Sequence, residues 1–198
     1  MKQNDEKWKA SAPKALLVVD YTIDFIASDG KLTVGEPGQK IESAIAEKIK
    51  SHADQNHPII VVSDLHDEAD THHPEHELFP PHNLAGSEGR KLYGGIESLV
   101  EKIATEKPGQ LIRLDKRRYS AFCGTPVEQI LRQEKIDEIE IVGVCTDICV
   151  LHTAVDAYNK GFSVFIDEAA VDSFNREAHH VALDHFESVL GFQVKRRG

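Results

Sequence analysis

The apolar residues of this chain fall into short, nearly continuous runs. Ala15-Leu16-Leu17-Val18-Val19 ends in Asp20, and Ile59-Ile60-Val61-Val62 ends in Ser63-Asp64. Leu111-Ile112-Arg113-Leu114 ends in Asp115-Lys116, and Ile139-Glu140-Ile141-Val142-Gly143-Val144 ends in Cys145. Phe162-Ser163-Val164-Phe165-Ile166 precedes Asp167-Glu168, and Phe192-Gln193-Val194 lies near the C-terminus. Runs rich in β-branched residues with little alternation are the mark of parallel strands buried on both faces. Between them, Ile41, Ala44, Ile45, Lys48 and Ile49 repeat at helical spacing, as do Val127, Ile130 and Leu131, and Ile148, Leu151, Val155 and Tyr158. The alternation predicts a doubly wound α/β fold: a mainly parallel, six-stranded sheet with helices on both faces.

Residues 1–13 read as a flexible polar arm that carries Trp8, and 14–198 as a single domain without internal repeats. Residues 63–95 break the pattern. They hold Pro74, Pro80, Pro81, Gly86, Gly89, Gly94 and Gly95 with few apolar residues, which predicts a long loop. Long loops inside compact domains are usually functional or disordered, and the chemistry in this one favours function.

Composition narrows the partners. Of 198 residues 40% are hydrophobic, enough for a core, and the net charge of −10 comes without any concentration of Lys and Arg. Nucleic acid and anionic membrane surfaces are therefore not expected partners. Three cysteines without framework spacing argue against a disulfide scaffold. The N-terminus has no apolar signal region, and no run approaches the roughly 20 apolar residues of a membrane helix. A cytoplasmic setting is expected.

In open α/β sheets, ligands bind beyond the carboxyl ends of the strands. The residues ending the runs therefore converge: Asp20, Asp64, Lys116, Cys145 and, just beyond, Cys149. Cys149 is expected in the first turn of a helix, where free amides and the helix dipole favour a thiolate, with Lys116 adding to the effect. A thiol nucleophile needs a group to take its proton and return it to the leaving group. Asp20, held by Lys116, suits that task. A second constellation is Asp64-x-His66, with Glu75 and His82 downstream; on an extended segment the first two point to one side. Imidazole and carboxylate together suit Zn²⁺, Mn²⁺ or Fe²⁺. Asp67, Glu68, Asp70, His72, His73, His76 and Glu77 compete, so spacing leaves the downstream ligands open. There is no Gly-x-Gly-x-x-Gly after the first run, no Walker-type loop and no Gly-x-Ser-x-Gly elbow.

Leu16-Leu17-Val18-Val19-Asp20-Tyr21-Thr22-Ile23-Asp24-Phe25 resembles the opening strand of the isochorismatase-like cysteine hydrolases, and Gly143-Val144-Cys145-Thr146-Asp147-Ile148-Cys149-Val150 resembles their nucleophile segment. Ser63-Asp64-Leu65-His66 and Phe79-Pro80-Pro81-His82 resemble the metal segment of the nicotinamidase branch. The likeness spans residues 14 to about 195. It implies a triad of Asp20, Lys116 and Cys149, metal ligands Asp64, His66 and His82, and Glu75 as the fourth ligand of one subgroup where others use a histidine. It implies aromatic walls at Phe25, Phe79 and Tyr119, a cis bond between Val144 and Cys145, and an oxyanion hole from the backbone amides of Cys145 and Cys149. Cys145 departs mildly from the family, where a small residue such as alanine is frequent. The implied activity is hydrolysis of nicotinamide to nicotinate and ammonia for NAD salvage, with one divalent metal (zinc first, iron or manganese as alternatives). Pyrazinamide is an expected further substrate, and the family is often homo-oligomeric. Competing readings are another small-amide or isochorismate-type hydrolase, a metallohydrolase using activated water, and a metal-dependent binding protein.

Overall fold

The computed structural model describes residues 14–197; the arm assigned to residues 1–13, with Trp8, lies outside them. The apolar runs become strands: β1 (Lys14–Val19), β2 (Ile59–Asp64), β3 (Leu111–Lys116), β4 (Glu138–Val144), β5 (Ser163–Asp172) and β6 (Gln193–Lys195). They form one sheet in the order β3-β2-β1-β4-β5-β6, with every pairing parallel. The helices are α1 (Ile23–Ile26), α2 (Glu36–Lys40), α3 (Glu42–Asp54), α4 (Ile96–Glu106), α5 (Val127–Gln133), α6 (Leu151–Asn159) and α7 (Arg176–Ser188).

Alternate residues of each strand face opposite sides. Leu17, Val19, Ile60, Val62 and Ile141 pack under α5, α6 and α7 through Leu131, Ala154 and Phe186. Leu16, Val18, Val61 and Val142 pack under α3 and α4 through Ile45, Ile49 and Val100. With two apolar layers to meet, β1 and β2 are buried almost throughout, whereas β3, an edge strand, exposes Arg113 and Asp115. Each fully buried Leu or Ile contributes about 1.5–3 kcal/mol.

The structure differs from the sequence reading in several places, the short helices α1 and α2 among them. β5 runs on to Asp172, past a register shift opposite Ile141 and Gly143, so its carboxyl end lies six residues beyond Ile166. Helix α4, with buried Ile96, Val100 and Ile103, was not anticipated although its spacing is helical. The long loop holds one 3₁₀ turn, Glu88–Arg90, and is pinned by bridges from His66 to Leu84 and from Thr22 to Leu92.

The strand order reverses between β1 and β4, which opens a crevice at their carboxyl ends. The two strands approach closely there: a Cβ on Gly143, at φ +118°, would stand 1.9 Å from the Val19 carbonyl oxygen. Any side chain at 143 would push β1 from β4, and with them the residues that follow, Asp20 and Cys145.

Candidate active site

Asp20 leaves β1 with φ +55°, a left-handed conformation uncommon for a residue other than glycine and typical of functional positions. Its amide donates to Val62 O at 3.1 Å and its Oδ1 accepts from the Asp64 amide at 2.8 Å, so β1 and β2 fix it jointly. Lys116 ends β3 with its ammonium fully buried. It is 2.7 Å from Asp20 Oδ2, hydrogen-bonds Asp64 Oδ1, and lies 3.6 Å from Cys149 Sγ. One cation thus holds two buried acids and faces the thiol. Burial and the neighbouring Asp64 charge, opposed by Lys116, push the Asp20 carboxyl up to about 7. A group with that pKa can both accept and return a proton near neutrality.

Cys149 does not lie in the first turn of an α-helix. It sits in a π-type turn, Thr146–Val150, that joins β4 to α6. The Cys145 carbonyl accepts from the amides of Ile148 and Val150, at 3.0 and 3.1 Å, bonds that straddle the Cys149 amide. The Val144–Cys145 peptide is cis. The expected tilt toward thiolate is also reversed: burial raises the Cys149 pKa well above the ordinary thiol value, the Asp20 and Asp64 charges add to it, and Lys116 opposes it. The direction of that shift favours the thiol, and Asp20, whose carboxylate lies within 4.8 Å of the sulfur, is the group placed to accept its proton. Burial likewise pushes the Cys145 thiol up, to about 12.

On the β2 side of the crevice, ligand atoms of Asp64, His66, Glu75 and His82 lie within 4.8 Å of one another, all four residues buried. His66 Nε2 is 3.9 Å from Asp64 Oδ2 and His82 Nε2 is 3.6 Å from Glu75 Oε2, yet neither nitrogen has a hydrogen-bond partner among the described residues. Ligand atoms on one tetrahedral ion with bonds of ~2.1 Å lie about 3.4 Å apart, so the spacing and the orphaned nitrogens fit a divalent cation. His82 Nδ1 hydrogen-bonds Pro80 O at 2.9 Å. That leaves Nε2 unprotonated in the neutral ring, the form a metal takes, and burial lowers the His82 pKa in the same sense. The competition among histidines resolves by their other contacts. His73 contacts Arg117 O through Nε2 at 2.8 Å and accepts from the Glu75 amide through Nδ1 at 3.2 Å, while His72 and His76 are exposed. Glu75 joins the cluster, and His73 shapes the turn that brings it there.

Cys149 and Glu75 both border a cavity of about 180 Å³ walled by Phe25, Phe79, Tyr119, Ile148 and Phe174. The first three were expected there. Leu32, Thr33, Ile148 and Phe174 were not; Phe174 follows the true end of β5, the signal that ending the strand at Ile166 conceals. Asp24 was also missed. Its Oδ2 accepts from the Asn83 amide at 2.7 Å, next to His82, and its carboxylate packs on Gly89, where a Cβ would stand 2.2 Å away. It ties α1, which carries Phe25, to the loop that carries His66, Glu75 and His82.

The chain is similar to several known proteins. The Isochorismatase domain family matches residues 14–195. An isochorismatase family protein of Bacillus subtilis, PncA, is 52% identical over 181 residues, covering 91% of this chain and 98% of that protein. Among solved structures, a pyrazinamidase/nicotinamidase from Streptococcus mutans superposes with a TM-score of 0.88 at 46% identity, covering 91% of this chain and 99% of that one. A pyrazinamidase of Pyrococcus horikoshii in complex with zinc gives 0.79 at 28% identity, covering 93% and 99%. The chain belongs to the isochorismatase family.

Proposed function

We propose that this enzyme is a nicotinamidase, hydrolysing nicotinamide to nicotinate and ammonia in NAD salvage, with Cys149 as nucleophile. The observation that carries the reading is that one small aromatic-walled cavity is bordered both by Cys149, whose buried thiol faces the Lys116–Asp20 pair, and by Glu75, a member of the four-residue cluster that could hold a metal ion. Asp64, His66, Glu75 and His82 would hold the ion, zinc being the best match to two imidazoles and two carboxylates. When bound, the ion supplies a Lewis-acidic anchor for the pyridine nitrogen.

Phe25, Phe79 and Tyr119 flank the ring and turn its carboxamide toward Cys149. Asp20 takes the thiol proton as sulfur attacks the carboxamide carbon. The backbone amides of Cys145 and Cys149 receive the oxyanion. Asp20 passes the proton to the departing nitrogen, ammonia leaves, and a thioester remains. Water then attacks the thioester carbon while Asp20 takes its proton. The bond to sulfur breaks, the proton returns to Cys149, and nicotinate is released. Lys116 stays charged throughout, offsetting Asp20 in its ionised state.

The test is ammonia release from a panel of amides (nicotinamide, pyrazinamide, benzamide and an aliphatic amide) with and without chelator. Nicotinamide and pyrazinamide should be cleaved and benzamide, which lacks the ring nitrogen, should not. Equal turnover of benzamide would overturn the assigned role of the metal cluster.

A further inference from the structure

A second buried polar network adjoins the turn that carries Cys149, outside the residues that line the cavity, and the steps above do not use it. Thr146, the first residue of the turn, is fully buried, and its Oγ1 is 2.8 Å from Nδ1 of His179. His179 stands on α7 and is also fully buried. Its Nε2 is 3.5 Å from Glu168 Oε1, and Asp172 Oδ1 lies 3.8 Å from Nδ1. Both acids belong to β5, and both are engaged from their other sides. The Arg197 amide donates to Glu168 Oε2 at 2.9 Å, the Arg197 guanidinium is 3.3 Å from Asp172 Oδ2, and Arg176 pairs with Asp172 Oδ1.

We propose that His179 is a positioning residue for the nucleophile, holding the turn that carries Cys149 through Thr146. A lone buried imidazole is costly unless its nitrogens are satisfied. Glu168 faces Nε2 at 3.5 Å without a hydrogen bond to it among the described residues; with the proton on Nε2, Nδ1 is the acceptor and the Thr146 hydroxyl donates to it. The contact acts on a part of the chain that needs an external hold. The turn has π rather than α geometry and must keep the sulfur at both Asp20 and Lys116. The α7 helix is packed into the core through Leu183 and Phe186, so it gives Thr146 a rigid reference. Neither Thr146 nor His179 borders the cavity, so the hold acts on the position of the thiol and not on substrate binding.

The proposal rests on Cys149 being the nucleophile, and the experiment separates the two. Thr146→Val, nearly isosteric, and His179→Leu each remove the contact. Thr146→Ser keeps the hydroxyl, and His179→Asn places an amide oxygen near the position of Nδ1. For metal-loaded protein, kcat for nicotinamide should fall about 10- to 100-fold in Thr146→Val and His179→Leu. KM and metal content should stay as in the parent, the double variant should be no worse than the poorer single, and Thr146→Ser and His179→Asn should recover most of the loss. The rate of Cys149 alkylation by iodoacetamide, read by peptide mass, should change severalfold in the first pair and return in the second, even in protein that releases no ammonia. Unchanged kcat and alkylation in folded Thr146→Val would overturn the proposal. So would equal losses in Thr146→Val and Thr146→Ser, or a fall in metal content in step with kcat. Parent protein without activity whose alkylation still follows the hydroxyl would sink the nicotinamidase reading and leave the positioning role standing.

Discussion

Asp20, Lys116 and Cys149 stand at or within one turn of the ends of three parallel strands, whereas His66, Glu75 and His82 hang from a segment that has no helix or strand between Leu65 and Ser87. The first group inherits its geometry from the sheet. Strand register sets Asp64 opposite Lys116 and Val19 opposite Gly143, and the approach of β1 to β4 brings Asp20 to the thiol. The second group is placed by hydrogen bonds from distant elements: Asn83 to Asp24, His73 to Arg117, and Arg90 Nε to the Asp64 carbonyl. Asp64 belongs to both, with Oδ1 on Lys116 and Oδ2 facing His66. The rim is therefore part of the folding core, and the loop is a separable attachment whose order should depend on its ion.

The sharpest break in that comparison is at the sulfur. Cys149→Ala should reduce kcat by about 10⁴-fold or more while metal content, measured by elemental analysis, is unchanged. Lys116→Met should come next. It strands Asp20 and Asp64 in the interior without their cation, and urea unfolding should show a loss of about 3–5 kcal/mol together with loss of activity. His82→Ala, in contrast, should cost metal and activity with a much smaller change in unfolding free energy. If the two variants were equally destabilised, the division into core rim and attached loop would be wrong.

Milder changes refine the same contrast. Asp24→Ala removes the tie to the Asn83 amide and should weaken metal affinity by about 10–100-fold. At saturating metal, kcat should remain near the parent value, as judged by metal titration of the chelated protein. Chelation alone should lower the Tm, because an ion bound only by the folded state stabilises it by mass action, and metal return should restore it. Phe174→Ala, at an exposed wall of the cavity, should have the smallest effect, a rise in KM of a few-fold with kcat unchanged.

The same contrast governs what the sequence revealed. Strands buried on both faces write themselves as apolar runs, and the polar residue ending each run marks the rim, so Asp20, Asp64, Lys116 and Cys145 could be read together. Phe174 escaped because β5 contains a register shift and polar Asp167-Glu168, which mimic a strand end. The loop carries no periodicity, so Glu75 could be separated from His72, His73 and His76 only once the partners of His73 were known. The state of the sulfur was read with the wrong sign. A helix start favours thiolate, but the turn at Cys149 is not an α-helix start, and burial beside two acids outweighs Lys116. Asp24 and His179 act through backbone and side-chain contacts across 59 and 33 residues, a range at which local pattern carries no information.

The central claim is that the Cys149 sulfur becomes acylated during turnover. Acid-quenching the metal-loaded enzyme while it consumes nicotinamide, then mapping peptides by mass, tests it directly. A nicotinoyl group on the Cys149 peptide, absent without substrate and absent in Cys149→Ala, is the predicted result. Ammonia release that persists in Cys149→Ala, with no adduct on Cys149 in the parent enzyme, would contradict it.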